Sequence, residues 1–458
     1  MVRRQAGQMP RSLRSRATVL VYATALSIVL PKFAFARTFR EKLHEIQAGP
    51  LSITLQSQLR LRFEFDDQFD VRQYQPGTKD KILLERLSIS GDVRYKQWVR
   101  MFVEMRDAHA FLTHLHNSDF PKSNPFNDHM DIRQGFVEAF FGDSHPIGLK
   151  VGRQQISYGD QRVFGPGQWG NTGRWCFDAG MLTLRNKDLN LDLWVARPVE
   201  NRPDKWPNHF AKAPTLAVGY LHTKTLPFRL DLFYAMKHDG TGTVQGEQRQ
   251  GNLLSHALGF QMDGKALSDI LDFSLTFVYE FGWRSDARLR AFGANVRLGA
   301  TAPILTKPRL AFQFTWGSGD RDPQDGVYET FDGVLGGADI YFYGQMNLFF
   351  WANIRDYEAD LHLHPAKPLE LRLEYHYFTL DQAKDGWYTT GLKVLRRDKN
   401  GQSGIELGHE IDFRGAWKVA QGVELLFGYS HFFPGAFVRA TGAHPQANWF
   451  MFQTTFSL

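Results

Sequence analysis

One cysteine in 458 residues, Cys176, leaves the chain unable to close an internal disulfide or to build a thiolate metal cluster. It also lacks a membrane helix, which needs about 20 consecutive apolar residues; the apolar run from Ala17 to Leu30 stops short of that. No Walker loop, dinucleotide fingerprint or G-x-S-x-G elbow is present, so nothing points to nucleotide-driven work or a serine hydrolase. Excess charge is missing as well once the first 36 residues are set apart. They hold Arg3, Arg4, Arg11, Arg14, Arg16 and Lys32 with no acid, and the remainder carries 48 basic and 48 acidic residues. The formal charge of +6 is therefore a property of a leader, and no nucleic-acid partner is expected.

The leader itself reads as a secretory signal. Arginines precede the apolar run, and Pro31 and the small-x-small triplet Ala34-Phe35-Ala36 follow it, which sets cleavage after Ala36 and exports residues 37–458. Initiation at Met9 would shorten the basic region.

What the chain has in abundance is aromatic side chains, 38 Phe, 15 Tyr and 11 Trp, set in a sequence whose hydrophobic share is 43%. The apolar residues alternate. Ile53, Leu55, Leu59, Leu61, Phe63 and Phe65 stand against Thr54, Gln56, Gln58, Arg60, Arg62 and Glu64, a period of two and hence a strand. The pattern returns as Leu271, Phe273, Leu275, Phe277 and Tyr279 against Asp272, Ser274, Thr276 and Glu280. It recurs as Leu369, Leu371, Leu373, Tyr375 and Tyr377 against Glu370, Arg372, Glu374 and His376. Sandwich strands average about 5–6 residues, and these are roughly twice as long, the length a tilted membrane strand requires. A chain without membrane helices can span a bilayer only as a closed sheet.

Read this way, the sequence predicts an all-β, antiparallel transmembrane barrel of eighteen strands. They fall near 51–66, 81–96, 98–108, 130–142, 147–156, 176–186, 188–198, 213–225, 227–238, 250–264, 269–283, 287–301, 306–318, 353–365, 367–379, 403–415, 419–433 and 447–458. Tight turns at Lys96-Gln97, Asn186-Lys187, Leu226-Pro227 and Pro365 to Pro368 alternate with long polar loops at 109–129, 155–175, 319–352 and 380–402, as in outer-membrane barrels. The chain ends on a strand in which Phe450, Phe452, Phe456 and Leu458 share one face, suited to pairing with the first strand so that no edge is left free.

The opposite face of these strands would line an aqueous interior, and it is rich in cations: Arg60, Arg62, Arg86, Arg94, Arg100, Arg106, Arg133, Lys150, Arg185, Arg355 and Arg372. Acids are interleaved, among them Glu64, Asp92, Glu104, Glu138, Asp192, Glu280, Glu374, Glu410 and Asp412. Guanidinium matches a carboxylate with two parallel donors and keeps its charge, so a ladder of them suits the passage of a polyanion. The alternative is that the same arginines pair with the neighbouring acids and stiffen the wall.

Residues 149–186 resemble the signature of the alginate export family of outer-membrane barrels. They contain Gly152-Arg153-Gln154 at a strand end, Tyr158-Gly159-Asp160-Gln161-Arg162 in a loop, and Arg174 to Asp178 leading into the next strand. Similar matches are Asn353-Ile354-Arg355-Asp356, Glu374 to Phe378 followed by Trp387-Tyr388, Gly408 to Asp412, and Tyr429 to Gly435. The resemblance implies an eighteen-stranded barrel with an electropositive pore that releases a polyuronate from the periplasm. Arg153, Arg162 and Arg355 would be pore arginines, with Asp178, Glu138 and Glu410 as acids that hold or gate them; an ion pair pinning adjacent strands is the competing role for Arg153 and Asp178.

The expected function is thus a passive outer-membrane channel for an anionic polysaccharide or related solute, embedded in lipid and supplied by periplasmic partners, with no cofactor. A small-solute porin of the same fold is the alternative, and an outer-membrane enzyme acting on polysaccharide or lipid a more distant one. His362/His364 and His114/His116 lie two apart on one strand face but lack an evident third ligand. The loop from Gly317 to Gly326 clusters aspartates as a calcium loop does, with its glycine one position late for an EF-hand.

Overall fold

The computed structural model describes residues 46–335, 342–389 and 391–458. The leader expected over residues 1–36 lies outside them. Eighteen long strands run in chain order: β1 Leu51–Asp70, β2 Gln73–Tyr95, β3 Val99–Phe111, β4 Asp128–Phe141, β5 Ile147–Gln154, β6 Phe177–Arg185, β7 Leu189–Pro198, β8 Thr215–Thr223 and β9 Arg229–Gln245. The second half is β10 Gln250–Ala266, β11 Leu271–Arg284, β12 Ala287–Thr301, β13 Arg309–Gly317, β14 Ile354–Ala366, β15 Leu369–Thr379, β16 Glu406–Ala420, β17 Val423–Pro434 and β18 Ala447–Ser457. Each pairs antiparallel with its sequence neighbours, and β18 pairs with β1 through Leu59↔Phe456, Phe63↔Phe452 and Phe65↔Phe450. The sheet closes into a barrel without an edge, as the sequence predicts.

Alternation decides which way each strand faces. Met101, Val151, Val195, Leu258, Leu298 and Phe312 point outward and are 51–61% exposed in the bare protein. So much contiguous apolar surface is tolerable only against lipid. Aromatic residues collect at both ends of this band: Tyr95, Trp98, Phe141 and Trp417 at one, Tyr234, Tyr279, Tyr357, Tyr375 and Tyr429 at the other. Two tyrosines of the second ring bond neighbouring imidazoles, Tyr234 with His256 and Tyr375 with His409, both at 2.7 Å.

One rim carries short connections, at 96–98, 142–146, 186–188, 224–228, 267–270, 302–308, 367–368 and 421–422, together with the carboxyl terminus. Gly422 supplies the left-handed backbone, φ +78°, that its two-residue turn requires. The other rim carries loops 112–127, 155–176, 199–214, 318–353, 380–405 and 435–446. That rim also holds tight hairpins at 71–72, 246–249 and 285–286, and there β1, β2 and β9 extend well past the expected ends. In residues 67–80 the outward positions are polar too, so the alternation that marks the membrane span fades while the ladder continues through Phe69↔Tyr74 and Asp70↔Gln73.

The loops expected to be polar are not. Residues 155–176, 318–335 and 342–353 fold into the barrel and share a buried aromatic core with the inner wall. Tyr158 stacks on Tyr220 with centroids 3.9 Å apart, and Phe164 meets Phe233 edge-on at 5.1 Å. Phe331 meets Trp351 at 5.0 Å, and Phe349 stacks on Phe378 at 4.0 Å. The inner faces of β6 to β9 are apolar to receive them, through Met181, Trp194, Leu216, Val218, Tyr220 and Phe233. Lys237 of β9 anchors the second loop by bonding Asp332 at 2.6 Å.

Candidate functional site: the charged lumen

On β1 to β4 the inward positions carry Arg60, Arg62, Arg86, Arg106 and Arg133, each buried. Their donors are turned onto the inserted loop. Arg60 donates to the carbonyl oxygens of Gln168 at 3.1 Å and Trp169 at 3.2 Å and to Asn171 Oδ1 at 3.3 Å. Arg62 donates to Trp169 O at 2.8 Å, Arg86 to Gln168 O at 3.1 Å, Arg106 to Thr172 O at 3.1 Å, and Arg133 to Trp175 O at 3.0 Å. Two of these five arginines also pair with an acid, Arg62 with Glu64 and Arg106 with Glu104. Several donors of these five arginines are thus satisfied by neutral carbonyls, while the buried acids Asp66, Asp80, Asp128 and Asp131 stand toward the loop-rim ends of the same strands.

The sector β14 to β16 presents carboxylates to its loop instead. Asp356, Glu358, Glu374, Glu410 and Asp412 are buried and face inward. They accept from the second loop: Gln345 N donates to Asp412 at 3.2 Å, Met346 N to Glu410 at 3.0 Å, and Gln345 Nε2 to Glu374 at 3.0 Å. Arg372 lies between Glu374 and Glu358, 2.5 and 3.3 Å away, and His376 lies 3.0 Å from Asp356. One inserted loop therefore hangs by its carbonyls from arginines, and the other by its amides from carboxylates.

The two loops meet at arginines. The Arg162 guanidinium lies over Phe342 at 4.7 Å and Tyr343 at 5.3 Å while bonding Asp160 at 3.3 Å and Gln313 at 3.1 Å. Arg174 lies over Phe350 at 5.1 Å and Trp175 at 5.4 Å, and burial pushes its pKa down to about 10.

The remaining residues expected to line the path divide by exposure. Arg153 is an anchor: it bonds Asp178 at 2.8 Å, Asn208 O at 2.7 Å and Ile132 O at 3.2 Å, with Asp131 at 3.5 Å. Arg355 bonds Asp381 of loop 380–405 at 2.7 Å beneath Trp316. Asp192 accepts from the Tyr158 hydroxyl at 2.9 Å. Toward the short-turn rim the lumen is wetter. Arg94 and Arg100 share Asp92 at 3.1 and 2.9 Å, and their side chains are 53% and 26% exposed. Arg100 also lies 3.7 Å from Glu138, and Lys150 sits over the Phe136 ring at 3.9 Å. Arg94, Lys96, Arg100 and Arg185 line a cavity of about 260 Å³ with Phe140 and His145.

The aspartates between Gly317 and Gly326 bind backbone instead of converging: Asp320 accepts from Asp322 N at 3.2 Å and Asp325 from Val327 N at 2.8 Å. His362 and His114 each sit between carboxylates, His114 at 3.1 Å from both Asp70 and Asp80. Sequence reasoning missed the carbonyl-facing role of the arginine sector and the part played by Trp169, Phe342 and Phe350. The available signal was the density of aromatics in segments taken for polar loops.

The alginate export family model matches residues 51–452, most of the chain. No curated protein matches the sequence. Solved structures match over nearly the whole barrel at low identity. Pseudomonas aeruginosa OccK11 (OpdR) has a TM-score of 0.54 at 12% identity, covering 88% of this chain and 96% of that one. Acinetobacter baumannii OccAB3 has 0.58 at 11%, with 89% and 99% covered. Pseudomonas aeruginosa OpdK, solved with vanillate, has 0.58 at 10%, with 88% and 98% covered. The chain belongs to the alginate export family.

Proposed function

We propose that this member of the alginate export family is a passive outer-membrane channel for a carboxylated polymer of the polyuronate class, entered from the short-turn mouth. The observation that carries the reading is the cationic vestibule of Arg94, Lys96, Arg100 and Arg185 around the cavity at that rim. Short turns face the periplasm in outer-membrane barrels. A carboxylated chain arriving there meets exposed guanidiniums that pair with it in two-pronged fashion. Beyond the vestibule lie Arg60, Arg62, Arg86, Arg106 and Arg133, guanidiniums that offer a carboxylated chain further partners along the wall. Acids such as Asp92 and Glu138 within reach of Arg100 keep the attraction weak enough for release.

The two inserted loops occupy the lumen above the vestibule, so passage of a polymer requires them to shift. Their attachment supports such a shift: a carboxylate makes stronger hydrogen bonds to guanidinium than a neutral carbonyl does. An incoming uronate can therefore take over donors now held by Gln168, Trp169 and Thr172.

The test is planar-bilayer recording on the purified barrel. The wild type should prefer anions and be blocked by added oligouronate from the short-turn side. Arg94→Glu with Arg100→Glu should lower the anion preference and weaken that block several-fold. Unchanged selectivity and block in the double variant would remove the vestibule from the path. A second reading, a porin for small carboxylates, is favoured by one observation, the structural neighbour solved with vanillate. It predicts flux of small aromatic acids without block by oligouronate.

A further inference from the structure

Two groups of metal-ligating side chains converge among the described residues, and the availability of their donors separates them. Asp356, Glu358 and His376 are buried, but their atoms are taken. His376 Nδ1 lies 3.0 and 3.2 Å from the two Asp356 oxygens, and Glu358 accepts from Gln313 and Arg372. That group is a closed hydrogen-bond network of the inner wall.

The other group is Asp107, His109 and His129, on the outer surface of the barrel. Asp107 and His109 lie two apart on β3, hence on one face, the same face that carries Met101 and Val103 toward lipid. They stand four to eight residues further along, at the level where the outward positions turn from aliphatic to polar. Glu85 of β2 is directly opposite His109 in register. His129 is brought alongside by an irregular ladder: the β3–β4 register shifts between Glu104 and Met105 and again between Arg106 and Ala108, and Met130 takes φ +31°. The two imidazole centroids are 5.2 Å apart, and the ligand atoms of all three residues lie within 4.8 Å of one another.

We propose that Asp107, His109 and His129 form a binding site for a divalent transition metal of the zinc class, clamping the start of β4 to β3 at the outer edge of the lipid-facing wall. The donor set decides the class. Two imidazoles with one carboxylate are borderline-soft ligands that suit zinc-like ions, whereas magnesium and calcium take shells of six or more oxygens. The fourth position falls to water or to Glu85. Asp107 is already oriented, because its Oδ1 accepts from Met130 N at 2.9 Å and leaves Oδ2 for a ligand bond. His109 Nε2 lies 2.9 Å from that Oδ2, so the metal replaces one proton between two groups already in contact. Among the described residues the exposed His129 ring has no hydrogen-bond partner, so its turn toward the ion breaks no bond there. Zinc–ligand bonds of about 2.0–2.2 Å set ligand atoms roughly 3.4 Å apart, so the His109–Asp107 pair opens slightly from 2.9 Å and the wider separations, all within 4.8 Å, close by side-chain rotation. The clamp would act where the backbone ladder is interrupted and side chains carry the joint, next to Asn127, whose Oδ1 receives Ala110 N at 2.7 Å.

The experiment is calorimetric titration of ZnCl₂ into the tag-free, detergent-solubilised barrel, with MgCl₂ in parallel. The wild type should bind zinc and ignore magnesium. His129→Ala should lose one equivalent, or at least tenfold in affinity, with its heat-modifiable mobility on gels unaltered; His109→Asn should do the same. Because sixteen histidines offer other contacts, the reading rests on the difference between wild type and variant. Equal stoichiometry and affinity in wild type and His129→Ala, or no zinc heat in the wild type, would overturn the site.

Discussion

Arg62 lies flat over the Trp169 ring, 3.8 Å from guanidinium carbon to centroid, and also donates to the Trp169 carbonyl oxygen at 2.8 Å. One wall side chain thus grips the inserted loop by ring and backbone together. Trp169 in turn leans on Trp449 of the closing strand, 6.1 Å away. The loop is held at the seam where the barrel's last strand meets its first.

Replacing the ring removes that grip without touching the wall. A desolvated cation–π contact is worth about 2 kcal/mol, and Trp169→Ala leaves the carbonyl bonds as the remaining restraint. Single-channel conductance of this variant should rise above wild type, or its open periods lengthen. Identical conductance and dwell times would mean the segment does not obstruct the path.

Arg153 was expected in the pore, and the structure gives it four partners on the wall and loops. Arg153→Gln leaves Asp131, whose side chain is 5% exposed, without its cation. Stranding a buried partner costs about 3–5 kcal/mol; the 31% exposure of Asp178 places the expected loss toward the lower figure. Thermal unfolding in detergent should shift down while the reversal potential in a salt gradient stays put. A changed reversal potential at unchanged melting temperature would instead assign Arg153 to permeation.

The barrel was legible because lipid on one side and water on the other impose a period of two over ten or more residues. Leu271 to Glu280 and Phe450 to Leu458 carry that signature without interruption. It fails where the environments become alike. Along residues 67–80 polar residues stand on both faces, the inward Asp70, Thr78 and Asp80 being buried beside Phe69 and Tyr74, and the strands continue unannounced. On β7 and β8 both faces are apolar, since Val195 meets lipid while Trp194 meets the plug. Arg86, Arg106 and Arg133 were correctly placed on the inner face, but no local pattern tells an arginine facing water from one facing a carbonyl of Gln168, Thr172 or Trp175. That distinction depends on contacts 40 to 80 residues away along the chain. The phenylalanines and tryptophans of 155–176 and 342–351 were the readable hint, being too apolar for loops in solvent.

The second inserted loop should respond to pH through Asp320. Its carboxyl is 3% exposed, and burial, followed by repulsion from Asp385, raises its pKa to about 7. Asp385 is itself committed to Thr330, Tyr388 and Arg397 at 2.6–2.7 Å, so the two acids stay close. A folded value above the unfolded one favours the native loop fully below about pH 4, progressively less as pH rises, and not at all above about pH 7. Amide exchange of residues 318–335 should therefore quicken, beyond its intrinsic pH dependence, between about pH 5 and 7. Asp320→Asn, which stays neutral, should flatten that excess. The same slope in both proteins would show that another group controls the loop.

The single thiol offers a reporter for motion of the first loop. Cys176 is 1% exposed, its Sγ lies 2.8 Å from Arg133 O, and burial pushes its pKa up. A buried, protonated thiol reacts slowly, because the thiolate is the nucleophile and must be reached. Maleimide should therefore label the folded wild type only on the timescale at which residues 155–176 leave the wall. Trp169→Ala should speed labelling at fixed pH, and oligouronate should speed it in the wild type by competing for Arg60, Arg86 and Arg106. Added neutral oligosaccharide should do nothing, since it brings no carboxylate to exchange for the carbonyls. Labelling rates indifferent to both the substitution and oligouronate would mean that the loop is a permanent wall of the barrel, and conduction would then have to follow a route between the loops instead of beneath the first one.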